Sequence, residues 1–331
     1  MAPLWRQRRW MAGPPFRLST RVCYLISMSA NEDSAARDAR IGNRAASQLD
    51  ALLDQRLPPG LHIVATPIGN LGDISLRALA ALASADRLLC EDTRRARKLL
   101  SHYGIRRELR VYEEHSAERM RPQVLDWLRA GESVALISDA GTPLISDPGF
   151  KLVREAVEAG LPVFTVPGPV AAVAALTVSG LPTDSFFFAG FLPSKSAARR
   201  QRLTELAEVG ATLAFYESPA RLTAVLRDVA DTLGERAVVI ARELTKRFET
   251  HYRGTAETLL AELEGQTLKG EIVVLVEPPT AQGGVSDELI MQQVERAMQS
   301  MSPRDAVRWV ADVLNVQRKR VYDLMVAKRK D

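Results

Sequence analysis

From Leu61 onward, short apolar runs alternate along the chain with longer segments in which apolar residues recur at helical spacing. The runs are "LHIVAT", "RLLCE", "LRVYEE", "SVALIS" and "VFTVP", and most of the helical segments that follow them stop at a glycine. Continuous apolar runs are typical of strands buried in a parallel sheet, and a glycine closes the last turn of a helix. Five strand-then-helix units in series therefore predict a mostly parallel sheet with helices on both faces.

A second series follows, with the apolar runs "SFFFAGFL", "TLAFYES", "AVVIARE" and "EIVVLVE". It also contains "RFETHYRG", whose polar alternation is typical of a half-exposed strand, so we expect both parallel and antiparallel pairs in this half. The pattern predicts an α/β fold of two domains with a helical, helix-turn-helix-like tail. The predicted segments are a disordered or mis-started N-terminal extension at 1–57, domains at 58–180 and 181–278, a linker at 279–285 and the tail at 286–331.

Composition narrows the class of protein without identifying it. The chain has 331 residues, of which 46% are hydrophobic and 25% charged, as in ordinary globular domains. A net charge of +4 permits a polyanionic partner. Cys23 and Cys90 are the only cysteines and the histidines are scattered, so we expect a reducing cytoplasm and no metal site. No stretch approaches the ~20 apolar residues that span a bilayer, so we expect no membrane partner.

Three strands of the first half end in turns rich in glycine and proline, at residues 65–73, 138–149 and 166–172. The carboxyl ends of parallel strands share one rim of the sheet, where ligands bind. Small residues there would let a ligand approach backbone N–H and C=O groups. The sequence therefore predicts a ligand pocket at this rim, with the alternative that these residues only mark turns. The glycine-rich motifs of dinucleotide and P-loop sites are absent from the sequence.

Charged residues follow two of the strands. "CEDTRR" places Asp92 and Arg94 at the rim of the first domain, and "YESPARL" places Glu217 at the end of a strand of the second. Such residues are candidates for catalysis, but they are equally suited to cap the helices that follow. Asp139 and Asp147, in the turn at 138–149, are another pair that could act as catalytic carboxylates.

Basic residues cluster in "PSKSAARRQRL", which contains no acidic residue, and the basic bias recurs in the tail. A solvated helix face is the ordinary interpretation, but the two clusters together favour a nucleic-acid partner. The candidate RNA-binding residues are Lys195, Arg199, Arg200, Arg202, Arg318, Lys319 and Arg320.

Seven motifs, in order from Leu61 to Glu277, resemble those of the tetrapyrrole methylase-like family of S-adenosylmethionine (SAM) enzymes, and within it those of members that act on ribosomal RNA. The motifs are "VATPIGNLGDISLRAL", "CEDTRRARKLL", "SDAGTPLISDPG", "VPGPVAAVAAL", "SGLPTDSFFFAGFLP", "YESPARL" and "GEIVVLVE". The resemblance implies two α/β domains with SAM in the cleft between them, usually in a homodimer. It also implies 2′-O-methylation of a cytidine ribose in the decoding region of 16S rRNA, in the small ribosomal subunit.

Carried over position by position, the resemblance implies a set of residues that border SAM. They are Thr66, Pro67, Asp139, Ala140, Gly141, Thr142, Ile145, Val170, Ala171, Tyr216, Ala241 and Gly270. A ribose hydroxyl is a poor nucleophile when neutral, so a base or a neighbouring cation should help, and Asp92, Arg94 and Glu217 are the candidates. Asp139 is then expected to face the methyl donor, and Asp147 to be a turn and cap residue. Two alternatives remain, namely a methylase of a small tetrapyrrole and a non-catalytic RNA-binding protein of ribosome assembly.

Overall fold

The computed structural model of the protein describes residues 29–279, 287–314 and 316–328. Its first element is helix α1 (Ser29–Leu53), which belongs to a compact unit separate from residues 55–331. The prediction of disorder is therefore wrong for α1. Its sequence is rich in alanine, the residue with the highest helix propensity, so local preference favours a helix even without a continuous apolar face. The arginine-rich start of the chain lies outside the described residues.

The first sheet is wholly parallel, with strand order β3-β2-β4-β1-β5. Successive residues of a strand face opposite sides, so Leu88 packs under α2 and α3 while Leu89 packs under α4 and α5. The prediction of a parallel sheet covered on both faces is confirmed. The elements are β1 (Gly60–Val64), α2 (Leu76–Ser84), β2 (Arg87–Cys90), α3 (Thr93–His102), β3 (Leu109–Val111), α4 (Glu114–Arg129), β4 (Ser133–Ile137), α5 (Phe150–Glu158) and β5 (Val163–Val166).

The second sheet has the order β6-β7-β10-β8-β9 and mixes pairing directions, as predicted. Only the β6–β7 pair is parallel, and the other three pairs are antiparallel. Its elements are β6 (Phe186–Phe191), α7 (Ser196–Leu206), β7 (Thr212–Glu217), α8 (Pro219–Leu233), β8 (Ala237–Arg242), β9 (Thr250–Thr255), α9 (Ala256–Glu262) and β10 (Ile272–Val276).

Helix α6 (Ala171–Ser179) joins the two sheets. It follows β5 in the chain, yet its buried residues Ala175 and Leu176 pack against Ala214, Val239 and Val273 of the second sheet. Helices α7, α8 and α9 cover the opposite face of that sheet. Because α6 ends at Ser179 and β6 begins at Phe186, the boundary predicted near residue 180 falls between these elements.

The tail contains helices α10 (Asp287–Met298), α11 (Pro303–Val313) and α12 (Arg318–Lys328). They enclose a small core of their own, in which Ile290, Val310 and Val321 are fully buried. The predicted linker at 279–285 lies almost entirely outside the described residues. Within the described ranges, no helix is both long and apolar enough to cross a membrane.

Candidate active site

The three glycine- and proline-rich turns form one continuous surface, because β4, β1 and β5 are neighbours in the sheet. The Thr66 amide donates to the Gly141 carbonyl at 2.8 Å, and the Gly141 amide donates back to the Thr66 carbonyl at 3.1 Å. The Thr142 hydroxyl donates to the Pro169 carbonyl at 3.1 Å. Gly141 has a φ of 79°, and a Cβ there would lie 3.3 Å from Ile68. A glycine therefore allows the close approach of the first two turns.

A cavity of about 310 Å³, the central cavity, lies between these turns and the ends of β7, β8 and β10. Its lining includes nine of the residues that the family resemblance places beside SAM. These are Ala140, Gly141, Thr142, Ile145, Val170, Ala171, Tyr216, Ala241 and Gly270. The structure thus brings residues from both sheets to one cavity, as the resemblance requires of a donor site.

A second cavity, the side cavity, has a volume of about 250 Å³ and is lined by the other three residues expected beside SAM, Thr66, Pro67 and Asp139. It adjoins the central cavity, because Ile68, Ala140 and Glu271 line both. A ligand group in one cavity would therefore lie close to a ligand group in the other.

The two cavities differ in charge. The described residues that line the central cavity include Asp147, Glu217 and Glu271 but no lysine or arginine. The side cavity is lined by three cations, Arg95, Lys98 and Lys246, against the carboxylates of Asp139 and Glu271. The central cavity therefore favours a cationic ligand, and the side cavity is better suited to an anion.

Two carboxylates are partly desolvated, namely Asp147, which lines the central cavity, and Glu91, which follows β2. Burial raises the pKa of the Asp147 carboxyl, and the nearby charge of Asp139 adds to that rise while a hydrogen bond with Ser138 opposes it. Burial likewise raises the pKa of Glu91, with further contributions from Asp139 and Asp147. A cation bound here would relieve this repulsion. The prediction that Asp147 caps α5 is wrong, because the N-cap is Gly149 and no side chain caps that helix.

The Asp139 side chain stabilises the start of α3. Its Oδ1 accepts a hydrogen bond from the Asp92 amide at 3.0 Å, and its Oδ2 lies 3.3 Å from Arg95 Nε. The carboxylate therefore connects the turn after β4 to the turn after β2, while the residue also lines the side cavity. Its expected contact with the methyl donor remains a prediction.

Glu217 is the buried carboxylate of the central cavity, with only 4% of the residue exposed. Its Oε1 accepts from the Ser218 amide at 2.7 Å and lies 3.2 Å from Arg221 Nε. Its Oε2 is buried and has no hydrogen-bond partner among the described residues. A buried carboxylate oxygen left without a donor is costly, so a donor supplied by a ligand in the cavity would satisfy it.

Asp92 and Arg94 do not line either cavity. Asp92 is the N-cap of α3, where its side chain accepts from the Arg94 amide at 2.7 Å and forms an ion pair with the Arg94 guanidinium. These hydrogen bonds lower the pKa of the Asp92 carboxyl to about 2. So acidic a carboxyl is poorly matched to taking a proton near neutral pH. The structure therefore favours the helix-capping alternative for this pair.

The RNA-binding candidates on α7 differ in exposure. Arg199 is 3% exposed and its guanidinium is paired with the buried carboxylate of Asp228, so the structure favours a role for Arg199 inside the protein. Arg200 is exposed and Arg202 half-buried, and they lie near Asp231 and Glu205, at 3.8 and 3.0 Å. The sequence could not show which of these arginines is buried, because Asp228 and Asp231, the partners of Arg199 and Arg200, lie far along the chain.

In the tail, Arg318 and Arg320 form ion pairs with Asp312 and Asp287 at 3.2 and 2.6 Å. Lys319 lies between them and is exposed. Lys195, the N-cap of α7, is also exposed. Whether these residues bind RNA stays a prediction.

Sequence reasoning missed the residues with left-handed backbone around the cavities. Within the described part of the chain, four residues other than glycine have positive φ, and they are Leu144, Ser146, Glu243 and Thr245. Each of them lines one of the two cavities or is the chain neighbour of a residue that does. Strained backbone of this kind is concentrated at binding sites, and no residue type in the sequence signals it. In the described ranges, no group of three or more metal-ligating residues could hold a metal ion.

Comparisons with known proteins agree with this geometry. A family model of tetrapyrrole (corrin/porphyrin) methylases matches residues 60–260. A protein of Mesorhizobium japonicum named ribosomal RNA small subunit methyltransferase I is 55% identical over 227 residues, which are 68% of this chain and 77% of that protein. One of the same name from Xylella fastidiosa strain Temecula1 is 46% identical over 268 residues, covering 80% of this chain and 98% of the relative.

Among solved structures, a cobalt precorrin-4 methyltransferase of cobalamin biosynthesis superposes with a TM-score of 0.51 at 19% identity. The match covers 66% of this chain and 94% of that one, so it supports the fold. The family resemblance of the sequence motifs is thereby confirmed. Together with its relatives named ribosomal RNA small subunit methyltransferase I, the chain belongs to the tetrapyrrole (corrin/porphyrin) methylase family.

Proposed function

We propose that the protein transfers the methyl group of SAM to the ribose 2′-hydroxyl of a cytidine in the decoding region of 16S rRNA, within the small ribosomal subunit. The relatives that are 46–55% identical to it over the aligned residues are named for small-subunit rRNA methylation, and the match covers 98% of one of them. The substrate class is taken from those names. The cofactor follows from the methylase family.

One observation of the structure carries the assignment of SAM to the central cavity, namely the lining with three carboxylates and no lysine or arginine among the described residues. Glu217 lies near Arg221 and Glu271 near Lys246, which leaves Asp147 as the lining carboxylate with no cation within ion-pair distance among the described residues. SAM has a positively charged sulfonium and an ammonium group, so the Asp147 carboxylate attracts it. The rings of Phe191 and Tyr216 lie edge to face with their centroids 5.7 Å apart, and Leu244 and Val273 line the same cavity. Such an apolar wall is suited to a purine ring. The residues present therefore fit the cofactor.

The chemistry requires little from the protein beyond alignment and a place for one proton. When bound, SAM supplies a methyl group on a good leaving group. The small residues of the rim would let the acceptor hydroxyl and the methyl donor approach each other closely. Because Glu217 lines the central cavity and its Oε2 has no donor among the described residues, we assign to it the acceptance of the proton of the ribose hydroxyl. Among the three catalytic candidates, we therefore favour Glu217.

We also propose that the protein works in the cytoplasm as a homodimer. The edge strand β6 exposes 45% of Phe186, 37% of Phe187 and 58% of Phe191. An edge strand with exposed aromatic residues promotes association unless another surface covers it. A second copy of the chain would cover this edge, and sedimentation of the purified protein measures whether it does.

The reaction is tested by incubating the protein with labelled SAM and one of three acceptors: small ribosomal subunits, free rRNA or a tetrapyrrole. We expect a labelled cytidine ribose in the subunit. Label on a base would refute the reaction, and label on the tetrapyrrole would favour the small-molecule alternative. An absence of label on all three, with intact SAM binding, would favour the non-catalytic RNA-binding protein.

The role of Glu217 is tested in the same assay with Glu217→Gln, which keeps the size of the side chain but cannot take the proton. We expect turnover to fall by more than about tenfold, the lower part of the range for general-base catalysis, while SAM affinity measured by calorimetry changes little. Asp92→Asn is the rival variant. A loss of turnover in Asp92→Asn alone would transfer the role to Asp92.

A further inference from the structure

We propose that the side cavity, together with the exposed basic face of α3, binds the phosphate backbone of the RNA that carries the acceptor ribose. This inference rests on the proposed function and adds to it the surface that holds the substrate. It departs from the sequence prediction, which placed RNA on α7 and on the tail.

The charge of α3 is the first argument. The helix carries Arg94, Arg95, Arg97 and Lys98, all exposed, and no acidic residue. Asp92 pairs with the first of these cations and Asp139 with the second. No carboxylate among the described residues lies within ion-pair distance of Arg97 or Lys98. These two charges are therefore available to a partner, and closely spaced cations on an exposed helix face suit a phosphate chain.

The position of α3 is the second argument. Arg95, Lys98 and Leu99 line the side cavity, so one edge of the basic face opens into it. The cavity adjoins the central cavity through Ile68 and Ala140. In RNA, the ribose 2′-hydroxyl lies next to the 3′-phosphate of the same nucleotide. A hydroxyl presented to the central cavity therefore requires a place for a phosphate close by, and the side cavity supplies it.

The opposite wall of the side cavity is held in place by the second domain. The Lys246 ammonium donates to Glu243 Oε1 at 2.7 Å and to Glu271 Oε2 at 2.8 Å. Its side chain packs so closely on Gly69 that a Cβ there would overlap it. The Asn70 amide donates to the Thr245 hydroxyl at 3.1 Å. These two carboxylates neutralise the Lys246 charge, so this wall shapes the side cavity while the charge available to a phosphate comes from α3.

The other basic clusters are weaker candidates. On α7, Arg199 is buried, and Arg200 and Arg202 lie near carboxylates. A cation that already pairs with a protein carboxylate gains less from a phosphate, because the existing ion pair must first be broken. The same reasoning applies to Arg318, which pairs with Asp312.

The test compares two full-length double variants that each remove two positive charges from an exposed helix face. Arg97→Gln/Lys98→Gln changes α3, and Arg200→Gln/Arg202→Gln is the matched control on α7. Glutamine has nearly the helix propensity of arginine and lysine, so neither helix should be weakened. Affinity for small ribosomal subunits and for a single-stranded RNA oligonucleotide is measured over a range of KCl concentrations. SAM affinity is measured by calorimetry.

For the α3 variant, we expect the slope of log affinity against log salt to become shallower by about 1.5, which corresponds to two lost phosphate contacts, and affinity to fall by about tenfold. The α7 control should keep the slope of the unaltered protein, and both variants should bind SAM normally. An α3 variant that binds RNA as the unaltered protein does would overturn the inference, as would a larger loss in the α7 control. If the unaltered protein methylates no ribose in the subunit, the proposed function fails and the inference fails with it.

Discussion

Arg199→Met removes a guanidinium that is almost entirely buried and forms an ion pair with Asp228. In the unaltered protein, Arg199 Nε donates to Asp228 Oδ2 at 2.7 Å, and its Nη1 donates to the carbonyls of Pro193 and Ser194 at 3.3 and 3.1 Å. Without this side chain, Asp228 keeps the Ser196 hydroxyl at 2.9 Å and the more distant Arg200 at 4.0 Å. A buried carboxylate that loses its main partner typically costs about 3–5 kcal/mol of stability.

The expected result is a large loss of stability with RNA binding intact. With a urea m-value of about 3 kcal/mol/M, a loss of 3–5 kcal/mol lowers the unfolding midpoint by about 1 M or more. Arg202→Met is the control on the same helix. Its exposed ion pair with Glu205 is worth at most about 1 kcal/mol, so its midpoint should shift only slightly.

A third variant distinguishes the loss of the ion pair from the loss of side-chain packing. Arg199→Met/Asp228→Leu removes both charges, and replacing a buried pair by apolar side chains is often nearly neutral. The double variant should therefore recover much of the stability lost in Arg199→Met. A midpoint of Arg199→Met equal to that of the unaltered protein, together with weaker binding to small ribosomal subunits, would refute the structural role and restore Arg199 as an RNA contact.

Two further predictions follow from pKa shifts. Burial raises the pKa of the Cys90 thiol to about 11, so about one thiol in a thousand is ionised at pH 8. In a Cys23→Ser variant, where Cys90 is the remaining cysteine, the native protein should therefore resist a disulfide reagent until urea unfolds it. Rapid labelling of the native protein would show that the thiol is accessible. Because the pKa of Asp147 is raised, its carboxylate should be protonated at a higher pH than an ordinary aspartate as the solution is acidified. Acidification should then reduce the affinity for SAM several-fold more than the affinity for S-adenosylhomocysteine, whose sulfur is uncharged. In calorimetry, Asp147→Asn should abolish that difference in pH dependence, and equal pH profiles of the two ligands in the unaltered protein would contradict the role of Asp147.

The fold could be predicted because its determinants are local. Buried strands such as "SVALI" are apolar at every position, and all five residues of β4 are buried in the structure. The polar alternation of "THYRG" marks β9, which lies at the edge of its sheet with partly exposed side chains. Glycine and proline after three strands marked the rim, because those residue types are needed where a turn must be tight.

The roles of single charged residues could not be predicted, because they depend on contacts between distant parts of the chain. Arg199 and Arg202 belong to the same basic run, yet only Arg199 meets Asp228, 29 residues further on. Asp147 precedes Pro-Gly and has the sequence of a helix cap, but the turn directs it into the central cavity. Asp92 follows β2 and Glu217 is the last residue of β7, and of the two only Glu217 lines that cavity.

The charge of the central cavity exists only when the two α/β domains are packed together. Asp147 comes from the first sheet, whereas Glu217 and Glu271 come from the second. Neither domain alone places three carboxylates around one ligand. Helix α6 secures this arrangement, because it belongs to the first half of the chain but completes the core beneath the second sheet. A substitution that weakens this packing, at an α6 residue outside the cavity lining, should therefore weaken SAM binding measured by calorimetry.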